Sequence, residues 1–175
     1  DLYDFLWLDP DKKVYVLQNK IYPKNKSLYL DFGYISNLTS KFEDTNGVQL
    51  KFGYYFNEEW ALEFNYNQYG SQTNTTYESV RVVNDSEPFI RRVNRIQSLF
   101  LVYSPFYGKI NTFNKIFYFD WSFGIGTGQM NAESNLKSVR NPGSPNTFEA
   151  ERYNPIQFKS NIKFHMNKNI HVGVE

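Results

Sequence analysis

The chain has 175 residues, including 16 Phe, 14 Tyr and 3 Trp, yet its mean hydropathy is −0.59, so apolar and polar residues are finely interleaved. This excludes a helical membrane protein, because apolar runs such as Leu99 to Tyr103 are far shorter than the roughly 18 residues of a spanning helix. The high aromatic content excludes a disordered chain. The 19 basic and 18 acidic residues form no basic block, so no nucleic-acid partner is expected, and the absence of cysteine excludes a thiol nucleophile.

Residues 1–26 are predicted to be an N-terminal segment that precedes a β-rich domain at residues 27–175. A weak helical periodicity around Leu2, Phe5, Leu6 and Leu8 is the only one in the sequence. In an alternative interpretation, residues 13–22 supply one further strand of the barrel.

From residue 27 onward, apolar and polar residues alternate with the period of two that is typical of β-strands. We predict strands at 27–36, 48–56, 60–67, 95–104, 115–128, 156–166 and from 170 to the last residue given. The strand at 95–104 carries apolar residues on both faces, so its sides are not assigned.

The connections between these strands alternate in length. Short ones lie at residues 57–59, 105–114 and 167–169, and longer polar ones at 37–46, 71–94 and 129–154. Because an antiparallel meander places alternate connections at opposite ends, one end has tight turns and the other has long loops. This pattern is typical of a transmembrane β-barrel with periplasmic turns and outer loops, and strands of about 9 to 13 residues can cross a bilayer.

One face of the predicted strands is bulky and apolar, and we assign it to lipid. Aromatic residues at its ends suit the headgroup region: Phe56 and Trp60 at one turn, and Phe106, Tyr107 and Phe113 at another. The residues predicted to face lipid are Leu28, Leu30, Phe32, Leu50, Phe52, Leu62, Phe64, Phe117, Phe119, Trp121, Phe158 and Ile162.

The opposite face carries small residues and charges that nearly cancel, which predicts a paired network filling a narrow lumen. Its members are Asp31, Lys51, Glu63, Asp120, Lys159 and Lys163, with Glu175 as a further candidate. A soluble barrel with the aromatic face inside is the alternative, but such bulky side chains would overfill a small barrel interior.

The expected architecture is an antiparallel barrel of eight strands in meander order, because sixteen strands would leave no residues for loops. If residues 13–22 formed the closing strand, the short turn at 23–26 would lie in the periplasm, as short turns of such barrels do. The N-terminus would then lie outside the cell. We therefore expect the native protein to continue past Glu175 with the remaining strands, or a partner chain to supply the closing edge.

Candidate chemistry is sparse, and neither a catalytic residue nor a cofactor is predicted. His165 and His171 flank the turn at 167–169 and would face each other across the hairpin, which is at most half of a metal site. Histidines at the barrel rim, without metal, are the favoured interpretation. Their position at the tight-turn end argues against an outer-membrane lipid-modifying enzyme, whose substrate would arrive at the opposite end.

A cluster of arginines lies in or beside the longest early loop. Arg81, Arg91 and Arg92, with Arg95 beside them, could bind lipopolysaccharide phosphates, although a solvated loop is the simpler explanation.

Two stretches of sequence suggest a family. Residues 6–20, LWLDPDKKVYVLQNK, followed by the strand with Leu28, Leu30 and Gly33, resemble the outer-membrane β-barrel domain family of myxobacteria and Bdellovibrio-type bacteria. Residues 54–63, YYFNEEWALE, are similar to that family's second hairpin. The resemblance implies an outer-membrane barrel with a periplasmic N-terminal segment, associated in some members with envelope-spanning gliding machinery. The family's usual terminal strand is absent from this sequence.

The expected function is that of a non-enzymatic outer-membrane barrel, which anchors or builds an envelope assembly and contacts outer-membrane lipid, lipopolysaccharide and other envelope proteins. A small soluble lipid- or ligand-binding barrel and an outer-membrane lipid-modifying enzyme are the alternatives.

Overall fold

A computed structural model of the chain describes residues 20–38, 40–112, 114–141 and 146–175. The strands are β1 (Leu28–Asn37), β2 (Glu43–Tyr55), β3 (Trp60–Thr73), β4 (Arg91–Thr112), β5 (Lys115–Ser134), β6 (Glu149–Tyr153), β7 (Ile156–His165) and β8 (His171–Val174). Two helices lie in the connections: α1 (Thr75–Asn84) after β3 and α2 (Leu136–Arg140) after β5. The predicted all-β class is therefore confirmed.

Part of the predicted N-terminal segment lies outside the described residues. This applies to residues 1–19, which include the weak helical periodicity, most of the alternative strand at 13–22 and most of the first stretch that resembles the barrel family. Lys20, Ile21 and Tyr22, the end of that alternative strand, are not part of a strand.

The strands form one antiparallel sheet in the order β1-β2-β3-β4-β5-β7-β8. The long strand β5 pairs with β7 over Tyr118–Thr127 and with β6 over Met130–Ser134, so β6 and β7 follow one another along the same side of β5. β1 and β8 are the two edges of the sheet, and no backbone pairing joins them in the part of the chain that the structure describes.

The sheet curls strongly, so that one of its faces becomes an interior. Glu63 on β3 contacts Lys159 on β7, although β4 and β5 lie between these strands in the sheet. Asp31 on β1, at one edge, contacts Lys163 on β7, near the other edge. Contacts between such distant strands are possible only where the concave face closes on itself.

The tight turns are built by asparagine side chains. Asn57 Oδ1 accepts hydrogen bonds from the backbone N–H groups of Glu59 (3.0 Å) and Trp60 (2.7 Å) between β2 and β3. Asn167 does the same for Asn169 and Ile170, at 2.8 Å each, between β7 and β8. Both turns lie where short connections were predicted, and their geometry is the one that asparagine favours.

The predicted connection at residues 105–114 is wrong for most of its length. β4 and β5 continue as a paired hairpin from Phe106 and Trp121 to Thr112 and Lys115, after a register shift between Tyr103 and Phe106. Pro105 lies within this shift and does not end the strand, because a bulge is one of the few places where a sheet accepts proline.

The long connections are also more ordered than predicted. The segment at 71–94 contains the end of β3 and α1, and the segment at 129–154 contains the end of β5, α2 and β6. Helix α1 begins after Asn74, whose side chain accepts hydrogen bonds from the N–H groups of Thr76 and Tyr77. Neither helix among the described residues is long and apolar enough to span a membrane.

Candidate functional site

The interior of the curled sheet contains a set of charged and polar side chains, which we call the interior network. The charged residues on its inner face are buried because alternate residues of each strand point inward. Its members are Lys24, Tyr29, Asp31, Lys51, Glu63, Asp120, Lys159, Lys163, His165, His171 and Glu175.

One branch of the interior network is centred on Glu63, which is only 1% exposed. Its carboxylate pairs with the Lys159 ammonium and accepts a hydrogen bond of 2.5 Å from the Tyr29 hydroxyl. Lys159 Nζ also lies 3.5 Å from Glu175, which pairs in turn with Lys51. Each of these charges therefore has a counter-charge, as burial requires.

A second branch joins the two edges of the sheet. Asp31 on β1 pairs with Lys163 Nζ at 2.7 Å and is hydrogen-bonded to Nε2 of His171 on β8. The ring of His165 lies directly across the hairpin from His171, with 6.5 Å between centroids, and its Nε2 lies 2.6 Å from Asp120.

The histidines face each other as predicted from their spacing, but each has a carboxylate partner that is far away in sequence. Asp120, the partner of His165, lies on the neighbouring strand β5, and Asp31, the partner of His171, lies on the opposite sheet edge. The sequence offered only Glu175 as an acidic neighbour, and that residue lies instead against Lys51 and Lys159. Within the described ranges, no group of three His, Cys, Asp or Glu side chains is placed to hold a metal ion. Neither histidine is hydrogen-bonded to a serine there, so the geometry is that of two His–Asp pairs.

Residues 20–27 cross the tight-turn end of the curled sheet and contribute a buried lysine to the interior. Lys24 Nζ lies 2.8 Å from Asp120, and the backbone N–H groups of Lys24 and Asn25 donate to the Glu58 carboxylate. The ring of Tyr22 stacks on His165, with 5.1 Å between centroids. Burial lowers the pKa of Lys24, and the negative charge of Asp120 opposes that shift.

Glycines on the inner face make room for the large side chains of the interior network. A Cβ at Gly53 would lie 2.1 Å from the Tyr29 ring, and one at Gly124 would lie 2.8 Å from the Lys159 stem. At these two positions a small residue therefore faces a long side chain on a neighbouring strand.

The outer face has the opposite character. Of the twelve side chains predicted to face lipid, nine are exposed, including Phe32 at 80% and Phe158 at 78%, while Phe117, Phe119 and Ile162 are partly covered. Near the tight-turn end, the outer face carries aromatic contacts between Trp60 and Tyr103 and between Phe106 and Trp121.

Tyr107 and Phe113 were also predicted to lie at the end of the lipid-facing surface. Tyr107 is not part of the outer group, because it pairs in register with the inward-facing Asp120 and stacks on Tyr118. Phe113 lies outside the described residues.

The arginines proposed to contact lipopolysaccharide are already paired with glutamates at the loop end. Arg81 pairs with Glu87 and Arg91 with Glu151, while Arg92 pairs with Glu43. The first pair lies within one connection, and the other two join β4 to β6 and to β2. All three reduce the positive charge available to a phosphate.

A cavity of about 760 Å³ lies between the two sheet edges, and we call it the seam. It is lined on one side by residues 30–36 of β1 and on the other by residues 169–175, with Lys51, Lys163 and Asn161 at its floor. The side-chain contacts of Asp31 bridge it at one level, while the backbone edges stay separate.

Comparisons with known proteins give no relative: no protein-family model, curated protein or solved structure matches this chain. The resemblance to the barrel family of myxobacteria and Bdellovibrio-type bacteria therefore stays a prediction.

Proposed function

We propose that the protein is a non-enzymatic outer-membrane β-barrel that anchors, or forms a structural subunit of, an envelope assembly. The observation that carries this proposal is the reversed burial of the sheet. Charged residues such as Glu63 and Lys159 are buried and paired, while large apolar residues such as Phe32 and Phe158 are exposed. In water this arrangement would be costly, whereas a lipid environment favours it.

Other features support the same proposal. The outer aromatic contacts near the tight turns suit a headgroup region, because Trp and Tyr are enriched at membrane interfaces. Short turns at one end and long, ordered connections at the other match the usual orientation, with turns and the N-terminal segment in the periplasm.

The interior argues for a structural role. A lipid- or ligand-carrying soluble barrel would need an apolar cavity, but the interior here is lined by paired charges and tyrosines. The His–Asp pairs lack a hydroxyl nucleophile among their hydrogen-bond partners in the described residues, so we propose no catalytic activity for them.

Two arginine substitutions on β2 test the membrane assignment. Leu50 and Asn46 both point outward on β2, and four residues place them about 13 Å apart along the strand. Leu50→Arg should cost about 2 to 4 kcal/mol or block insertion, whereas Asn46→Arg, near the loop end, should cost no more than about 1 kcal/mol.

Insertion is measured by flotation with phospholipid vesicles and by heat-modifiable migration on gels. Equal insertion of both variants, or a wild-type chain that stays in the aqueous phase, would refute the proposal. Co-purification of envelope proteins from detergent extracts then tests the role in an assembly.

A further inference from the structure

A row of polar side chains crosses three strands near the loop end of the outer face. The strand register places Arg95 on β4 opposite Asn131 on β5, and Asn131 opposite Arg152 on β6. Gln68 on β3 continues the row on the other side of Arg95. We call Arg95, Asn131 and Arg152 the arginine row.

The arginine row points away from the interior. Arg95 lies on the same face of β4 as Leu99 and Leu101, both exposed. On β6, Glu151 and Tyr153 are bonded to each other, and Glu151 accepts a hydrogen bond from the buried Ser134. Since successive residues of a strand point to opposite faces, Arg152 points outward.

The arginine row also marks the end of the apolar band. One pair of residues closer to the tight turns, the outer face carries Gln97 paired with Gln129, and the next pair is Leu99 with Thr127. Along β4, Arg95 therefore lies four residues, or roughly 13 Å, beyond Leu99, the first apolar side chain of this face. The arginine row therefore lies on the loop side of the apolar residues of β4, where lipid headgroups would meet the outer face in the proposed orientation.

The two arginines of this row differ from Arg81, Arg91 and Arg92, which are each paired with a glutamate. Arg95 and Arg152 are both exposed, and within the described ranges neither has a carboxylate within ion-pair distance. Glu133, two residues further along β5, accepts a hydrogen bond from Asn94 and pairs with neither arginine. Asn131 lies between the two arginines in the strand register, and its Oδ1 is buried without a hydrogen-bond partner there. This oxygen accepts from a guanidinium group, whereas the Nδ2 group of Asn131 is the donor for a phosphate.

We propose that Arg95 and Arg152, with Asn131 between them, bind the phosphate of an outer-leaflet glycolipid of the lipid A type. Neighbouring strands lie about 4.8 Å apart, so the two arginines start roughly 10 Å from each other and their long side chains can converge on one phosphate. Guanidinium forks bind phosphate oxygens in pairs, and partial removal from water strengthens the contact. This site rests on the proposed membrane location and moves the lipid contact away from Arg81, Arg91 and Arg92.

Binding of diphosphoryl lipid A to the full chain tests the proposal. The protein is inserted into phosphatidylcholine vesicles, extracted in mild detergent with added diphosphoryl or dephosphorylated lipid A, and examined by native mass spectrometry. We expect the wild type to retain the diphosphoryl form, and Arg95→Gln/Arg152→Gln to retain it about tenfold less. Arg81→Gln/Arg140→Gln removes the same charge from α1 and α2 and should bind like the wild type.

The outcomes separate this proposal from the membrane assignment. Insertion of the wild type with equal retention of both lipid forms, or an equal loss in the two double variants, overturns the arginine row alone. Displacement of the lipid by millimolar inorganic phosphate overturns the assignment to a lipid. Failure of the wild type to insert overturns the proposed function and this site with it. Heat-modifiable migration of each variant shows that a loss of binding is not a loss of fold.

Discussion

Replacement of Glu63 is the most direct test of the interior network. Glu63 is almost fully buried on β3, and its carboxylate meets both the Lys159 ammonium and the Tyr29 hydroxyl. In Glu63→Met the lysine loses its main counter-charge and the tyrosine loses its acceptor. The protein should therefore unfold at a lower urea concentration.

The expected loss follows from what remains around the lysine. Removing one partner of a buried ion pair costs about 3 to 5 kcal/mol. Glu175 lies 3.5 Å from Lys159 Nζ and still compensates part of its charge, so we expect the lower end, about 3 kcal/mol. Removing both partners in Glu63→Met/Lys159→Met leaves no unpaired charge, and this double variant should lose only about 1 kcal/mol.

Urea unfolding in detergent micelles, followed by tryptophan fluorescence, measures these differences in the free energy of unfolding. Glu59→Gln is the matched control, because Glu59 is exposed in the turn just before β3 and should change the free energy by less than about 0.5 kcal/mol. A Glu63→Met variant as stable as Glu59→Gln would refute the buried pairing. So would a double variant that loses the sum of the two single losses.

Three further predictions concern packing, pH and transport. Gly53→Ala should push the Tyr29 ring off its site and cost about 1 to 3 kcal/mol of unfolding free energy, whereas Gly70→Ala, with no atom closer than 4.0 Å to the new Cβ, should cost much less in the same urea titration. Hydrogen bonds from Ser134 and Tyr153 hold the pKa of Glu151 below its usual range. Its stabilising contribution is therefore present above the unfolded pKa and is lost as the pH falls through the folded pKa. The protection of β6 amides, measured relative to their intrinsic exchange rate at each pH, should fall below about pH 4 and stay constant between about pH 6 and 8. Because side-chain pairs such as Glu63–Lys159 and Asp31–Lys163 cross the interior, the purified monomer should give no stable conductance steps in planar bilayers. Large steps would contradict an interior that these pairs obstruct.

Local sequence patterns predicted the strands and their faces because both depend on a period of two. Lys51 and Phe52 are neighbours in sequence, and alternation alone predicts that they point to opposite faces; the structure buries the first and exposes the second. The Asn57 turn was visible for a similar reason, since asparagine bonds to the backbone two and three residues ahead of it.

The partners within the interior could not be predicted in this way. His165 meets Asp120, 45 residues earlier, and His171 meets Asp31, 140 residues earlier, because the register of several strands and the curl of the sheet bring them together. Lys24 was missed because its segment shows no alternation. Pro105 was misinterpreted as the end of a strand because sequence alone does not distinguish a bulge from a turn.

The proposed membrane location sets a condition on the seam between β1 and β8. In an antiparallel edge strand, about half of the backbone N–H and C=O groups point away from the paired neighbour, and in hydrocarbon each unpaired group costs several kcal/mol. β1 has ten residues along this edge, whereas β8 has four. The side chain of Asp31 bridges the seam to Lys163 and His171, but the stretch from Phe32 to Ser36 faces the open part of the cavity. In a membrane, a strand that pairs with the free edge of β1 is therefore needed most along that stretch. Its outward residues must be apolar to continue the row that contains Phe32. Its inward residues must be small or uncharged, because the charges at the floor of the seam are already paired with one another.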